Sequence, residues 1–158
     1  MEQQEYAQRG YLREDFRLFH LKGAMEEQLD WHYHTFHKLI FFLGGQSGYG
    51  VEGRSYPLEP GDVILVPQGC VHRPEAAPGA PYERVILYLS PDYLARAGTA
   101  DCPLDSCFAL ATARFRFVLR PQEGRQALRR TLFALESASA QPGFGQELLA
   151  KALLTQLL

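Results

Sequence analysis

The sequence lacks a basic excess: 16 Lys and Arg stand against 18 Asp and Glu, a net charge of −2. Gripping nucleic acid takes a positive field, so these residues alone are not expected to hold DNA or RNA. Long hydrophobic runs are also missing. Stretches such as 39–43 and 63–66 fall far short of the roughly 20 apolar residues that cross a bilayer. The polar start, Met1-Glu2-Gln3-Gln4-Glu5, has no secretory signal character. Cysteine is scarce and odd in number, three in all, which excludes an even disulfide framework and points to a reducing cytoplasm. No P-loop, dinucleotide glycine pattern, Ser-His-Asp arrangement or internal repeat is present. What remains is one domain's worth of chain, 158 residues at 46% apolar and 12% aromatic, with 14 glycines and 10 prolines. That is enough apolar material for a core, and its turn-rich composition points to a mainly β protein.

The chain divides near residue 120. Before it, short strand-like runs at 16–21, 31–43, 49–51, 55–58, 63–66 and 82–89 alternate with turn chemistry, including Glu52-Gly53-Arg54 and Glu59-Pro60-Gly61-Asp62. Strands so closely spaced suit a sandwich or a small barrel. Ser90-Pro91 has the chemistry of a helix start, so a short helix is expected near 91–97. Residues 99–113 carry no clear pattern, and Phe115, Phe117 and Leu119 alternate with arginines as one further strand would. Residues 121–158 read as two helices broken at Pro142-Gly143. In the second, Leu149, Leu153, Leu157, Ala150, Leu154 and Leu158 cover about half the circumference, more than one packed face needs. The surplus calls for a partner, and the uncapped Leu-Leu-Thr-Gln-Leu-Leu finish suggests a piece of a longer protein.

Four of the five histidines lie between 32 and 72. His32 and His34, two apart, share one side of a strand. Two imidazoles on an interior face converge as a metal or polar-ligand site requires; on an exposed strand they are ordinary surface groups. Trp31, Tyr33, Phe36 and Tyr49 supply an aromatic wall or plain core packing. Arg17, Arg73, Arg84 and Tyr88 are pocket or rim groups. Cys102 and Cys107 beside Asp101 and Asp105 are a weak match to a metal clip, and Cys70 reads as a small buried filler.

His32-Tyr33-His34, Lys38 after three more residues and Gly48 ten further on resemble the first cupin motif; Gly61, Pro67-Gln68-Gly69 and His72 resemble the second. The resemblance implies a small antiparallel β-barrel of the jelly-roll kind over residues 1–120, with His32, His34 and His72 in its mouth. No cofactor is required by it, but those three histidines can hold a divalent metal such as Zn or Ni. Lys38 stands where metal-binding cupins carry a glutamate. An ammonium there adds positive charge beside a cation, which favours an anion-binding site, with His37 as a substitute ligand if a metal is held. By strand alternation Lys38 falls on the side of His32 and His34, and Glu83 is the nearby-strand carboxylate that could pair with it.

The barrel, the Tyr88–Leu94 stretch, a long helix and a Leu-rich second helix together resemble the N-terminal effector-binding and dimerisation region of AraC-type transcription regulators, over about 16–158. The resemblance implies a bacterial, cytoplasmic sensor without catalytic residues, pairing as a homodimer through residues 121–158. It would reach DNA only through a helix-turn-helix domain beyond residue 158. The ligand-binding residues would be His32, His34, Lys38, His72, Trp31, Tyr49 and Arg84, around a small polar or anionic effector. Two other readings stand beside it: a metal-dependent cupin enzyme, a dioxygenase or isomerase on the three histidines, and a metal-free binding cupin with no regulatory role.

Overall fold

A computed structural model describes residues 5–25 and 27–158; residues 1–4, which carry most of the polar start, and residue 26 lie outside the described residues. Among the described residues ten strands form two five-stranded sheets. They are β1 (Ala7–Gln8), β2 (Phe16–Leu21), β3 (His32–Tyr33), β4 (His37–Gly45), β5 (Ser47–Val51), β6 (Arg54–Pro57), β7 (Val63–Val66), β8 (His72–Ala76), β9 (Tyr82–Leu89) and β10 (Val118–Leu119). The smaller sheet runs β1-β3-β8-β5-β6 and the larger β10-β7-β4-β9-β2. Among the described residues only the β1–β3 pair is parallel.

The expected closed barrel does not form: among the described residues no ladder joins the two sheets. The expected strand over 31–43 is in fact two, β3 in one sheet and β4 in the other, with the chain stepping across between them. The β5–β6 hairpin closes through Glu52 and Gly53, both at positive φ (50° and 78°), the primed turn that matches strand twist. At the far end of β4, Gly45 (φ +108°) lies so close to the Pro81 carbonyl that no side chain fits there.

Register assigns the two faces of the larger sheet. Lys38 sits opposite Tyr88 and Val66, and Phe42 opposite Arg84, so these share one face with Ile40 and Ile86. His37, Leu39, Phe41, Leu65 and Leu87 take the other. That second face is covered by helices: His37 stacks on Phe108 at 4.3 Å, and a small apolar cavity of about 180 Å³ separates Leu39 and Leu65 from Leu128 and Leu157. The larger sheet is thus the middle layer, with the smaller sheet on one side and helices on the other.

Among the described residues there are four helices, α1 (Pro91–Ala97), α2 (Ser106–Arg114), α3 (Arg125–Ala140) and α4 (Gln146–Leu157). The Ser90 hydroxyl caps α1 by accepting from the Tyr93 amide. α2 occupies the stretch that had no pattern, because it buries little beyond Phe108 and Ala111. It ends with Phe115 at φ 49°, which turns the chain and leaves β10 only two residues where a strand over 115–119 was expected. α3 and α4 bury Leu132, Leu135, Ala138, Ala150 and Leu154. On α4, Leu153 and Leu157 pack against the core, so the apolar surface left over is Leu148 and Leu149, with Phe144 just before the helix. No helix among the described residues is long and apolar enough to cross a membrane.

Candidate functional site

His32 opens β3 and lies directly across from His72, the first residue of β8; His34 follows β3 by one residue. Their rings meet at centroid distances of 4.5 Å (His32–His72), 4.8 Å (His34–His72) and 5.1 Å (His32–His34). All three are buried, at 2%, 5% and 0% exposure. Each Nδ1 contacts a main-chain carbonyl: Asp30 at 2.8 Å for His32, Arg9 at 2.5 Å for His34 and Cys70 at 2.9 Å for His72. A carbonyl only accepts, so Nδ1 carries the proton and a neutral ring leaves Nε2 as a bare acceptor. The Nε2 atoms of His34 and His72 are buried without a partner.

Burial keeps these rings neutral. It pushes His34 down to about 4 and His72 to about 2, and holds His32 below its ordinary value, with the Lys38 charge adding to each. One potential ligand atom from each residue can be chosen so that all three lie within 4.8 Å of one another. Neutral imidazoles with Nδ1 fixed by main-chain acceptors are how metal-binding histidines are held. The donor set fits a divalent ion such as Zn²⁺ or Ni²⁺.

Lys38 reaches the same interior from the larger sheet and is 8% exposed. Its Nζ lies 3.4 Å from the Tyr49 hydroxyl and 6.0 Å from the ring centres of Tyr49 and Tyr88. Burial pushes its amine down to about 8, helped by the nearby Arg84 charge. Among the described residues no carboxylate pairs with it. Glu83, the carboxylate expected to reach Lys38, lies on the helix-facing side of β9 and bonds His20 instead. Tyr49 is buried and stacks on His72 (6.1 Å, 12°), joining the lysine to the histidines. Phe36 stacks on His34 at 4.7 Å and meets Tyr88 at 4.6 Å.

The other candidates have different surroundings. Arg84 faces the interior, but its Nη1 donates to the carbonyls of Gly23 (2.8 Å) and Tyr82 (2.9 Å) and its guanidinium lies over the Tyr82 ring; it fastens the loop before β3. Trp31 packs against Gly50 and under Arg73, on the face of the smaller sheet opposite Tyr49 and Val51. His37 accepts from the Gln68 amide on the helix side, too far round to substitute as a ligand. Cys102 and Cys107 belong to no metal-competent group among the described residues. The Cys70 thiol is pushed up to about 12 by burial and Glu52, so it is inert.

Two features escaped the sequence. Residues 7–10 lie against the histidines: the Arg9 amide donates to Tyr33, its carbonyl takes the His34 proton, and Gly10 packs on Phe36. These are main-chain contacts and leave no side-chain signal. His20 bridges Glu83 (2.8 Å) and Glu136 (2.6 Å) between β2, β9 and α3; its isolation from the other histidines hid it.

The inner face stays partly open along β2 and β9, where Phe19, Ile86 and Tyr88 are half-buried. A groove of about 690 Å³ lies elsewhere, between Arg13, Asp15 and the α3–α4 corner. Its Lys151 is already paired with Asp15 and Glu147.

A family model described as AraC-like ligand binding domain matches residues 18–158. No curated protein matches the sequence. Solved structures with a similar fold include a cupin-like protein from Thermotoga maritima (20% identity, 50% of this chain and 60% of that chain, TM-score 0.44). A second is the polyketide cyclase RemF from Streptomyces resistomycificus (24%, 46% and 53%, TM-score 0.41). A third is a Cupin 2 conserved barrel domain protein from Salinispora arenicola (16%, 54% and 71%, TM-score 0.44). The chain spans only about 60% of the first of these, and likenesses at this level carry no functional argument.

Proposed function

The chain belongs to the family of AraC-like ligand-binding domains, and from that premise we propose that it is the sensing and self-association module of a cytoplasmic transcription regulator, taking a small polar or anionic effector between its sheets. The observation that carries this reading is the buried Lys38 amine, unpaired with any carboxylate among the described residues and set beside histidines whose Nε2 acceptors have no partner among them. An unpaired buried ammonium costs several kcal/mol, of order 3–5 when its partner is missing, so an anion that reaches it is bound strongly. The bare Nε2 atoms accept hydrogen bonds from hydroxyl groups on the same ligand. Phe144, Leu148 and Leu149 support pairing with a second copy, and DNA would be engaged by a further domain.

A thermal-shift and calorimetric screen of sugars, sugar acids, phosphate esters and carboxylates tests the reading, run on wild type and on Lys38→Met. At least one acidic compound should bind the wild type and lose tenfold or more in affinity in the variant. Equal affinity of both proteins for every acid that binds would overturn it.

A second reading, a metal-dependent enzyme, is favoured by the three-histidine donor set itself. His32, His34 and His72 would hold the ion. Bound there, a divalent metal supplies a Lewis acid for a ligand oxygen. The chain's own residues would then supply orientation, through Lys38 on an anionic group, and exclusion of water, through Phe36 and Tyr88. Turnover of a carbonyl or aromatic substrate by the metal-loaded protein would favour this second reading.

A further inference from the structure

Lysine occurs at three positions, 22, 38 and 151, in three different settings. Lys22 is exposed. Lys151 is tied to Asp15 (3.0 Å) and Glu147 (3.1 Å). Lys38 is buried, has no carboxylate partner among the described residues, and contacts a phenol. An ammonium in that place is costly, whereas a neutral amine is not, and a neutral amine is a nucleophile. We infer that Lys38 is a capture residue for carbonyl compounds, its amine adding to a small aldehyde or ketone and holding it as an imine while Tyr49 passes the protons. The inference deepens the sensor reading and rests on it, since it names the chemical class of the effector.

The chemistry follows from groups already in place. The Lys38 nitrogen lone pair attacks the carbonyl carbon and the C=O π bond breaks toward oxygen. The Tyr49 hydroxyl, 3.4 Å from the amine, donates to that oxygen and regains a proton from nitrogen. The carbinolamine then loses water as the C–N double bond forms. Amine plus carbonyl gives imine plus water, with no oxidant or reductant. Burial and Arg84 bring the Lys38 amine to about 8, the combination of desolvation and a neighbouring cation that activates amine nucleophiles. Tyr88 beside it in the ladder, and Ile86 and Phe19 on the same face, are half-buried, and the proposed approach is along β9.

The probe is glyoxylate with cyanoborohydride at pH 7.5, with the modified lysine located by peptide mass mapping. Glycolate, which lacks the carbonyl, serves as the parallel ligand in calorimetry. Competition among three lysines of one folded chain needs no variant. Trapping at Lys38 should exceed that at Lys22 and Lys151 by tenfold or more. Labelling of Lys38 no greater than that of Lys22 would overturn the inference. If glyoxylate and glycolate bind equally without trapping at Lys38, covalent capture fails while the sensor reading stands.

Discussion

His20 makes the link between sheets and helices testable. Both ring nitrogens face carboxylates, Glu83 at 2.8 Å and Glu136 at 2.6 Å. Ionised carboxylates only accept, so the ring must carry two protons to satisfy both. Burial alone would lower its pKa, but the two glutamates outweigh it and raise the value above 6.5. A raised pKa in the folded state means the contribution is complete below pH 6.5 and disappears as pH climbs through the folded value. A charge-assisted hydrogen bond is worth about 1.5–3 kcal/mol when buried. At 38% and 29% exposure of the two glutamates, the surface discount brings it to about 1 kcal/mol. For a domain of this size 1 kcal/mol moves Tm by about 2–4 °C. Glu136→Gln, which keeps the shape, should therefore melt about 3 °C below wild type at pH 6, on the same scale. The gap should close by pH 9. Thermal unfolding by circular dichroism at both pH values measures it. A gap that is absent at pH 6, or unchanged at pH 9, would refute the bridge.

Leu154 is 1% exposed where α4 meets the core, so Leu154→Ala should cost about 2–5 kcal/mol in chemical denaturation. Leu148→Glu, at a position 75% exposed, should leave the melt within about 0.5 kcal/mol while shifting sedimentation toward the monomer. Zinc should raise the wild-type Tm and fail to do so in His72→Ala, whose apo form serves as the baseline. Gly45→Ala places a methyl against the Pro81 carbonyl at positive φ and should destabilise by about 1–3 kcal/mol, read from the same melts.

Strands whose two faces differ were legible. Phe16–Leu21 and Tyr82–Leu89 alternate cleanly between the interior and the helix side, and turn residues mark their ends. β8 was not read, because Pro74 inside it argues against a strand; it sits opposite Tyr49, within the smaller sheet. The passage from β3 to β4 left no compositional mark, so alternation counted from His34 to Lys38 crossed a change of sheet. Lys38 nonetheless faces the histidines, because the two sheets turn their inner faces toward each other. The histidine trio was legible through paired motifs, each fixing one side of the β3–β8 contact. Trp31, one residue before β3, lies on the outer face of the smaller sheet because successive residues point oppositely and His32 takes the inner side. The arc on α4 was legible as excess, but which leucines remain free depends on how α3 lies against it.

The central claim is that a ligand is received at His32, His34, His72 and Lys38. Side-chain NMR of ¹⁵N-histidine-labelled protein, titrated with the tightest acid from the screen, tests it most directly. His20 and His37 serve as internal controls on the helix side of the larger sheet. The Nε2 resonances of His32, His34 and His72 should move together with ligand while those of His20 and His37 stay in place. Movement confined to His20 or His37, with the trio unmoved at saturation, would contradict the account.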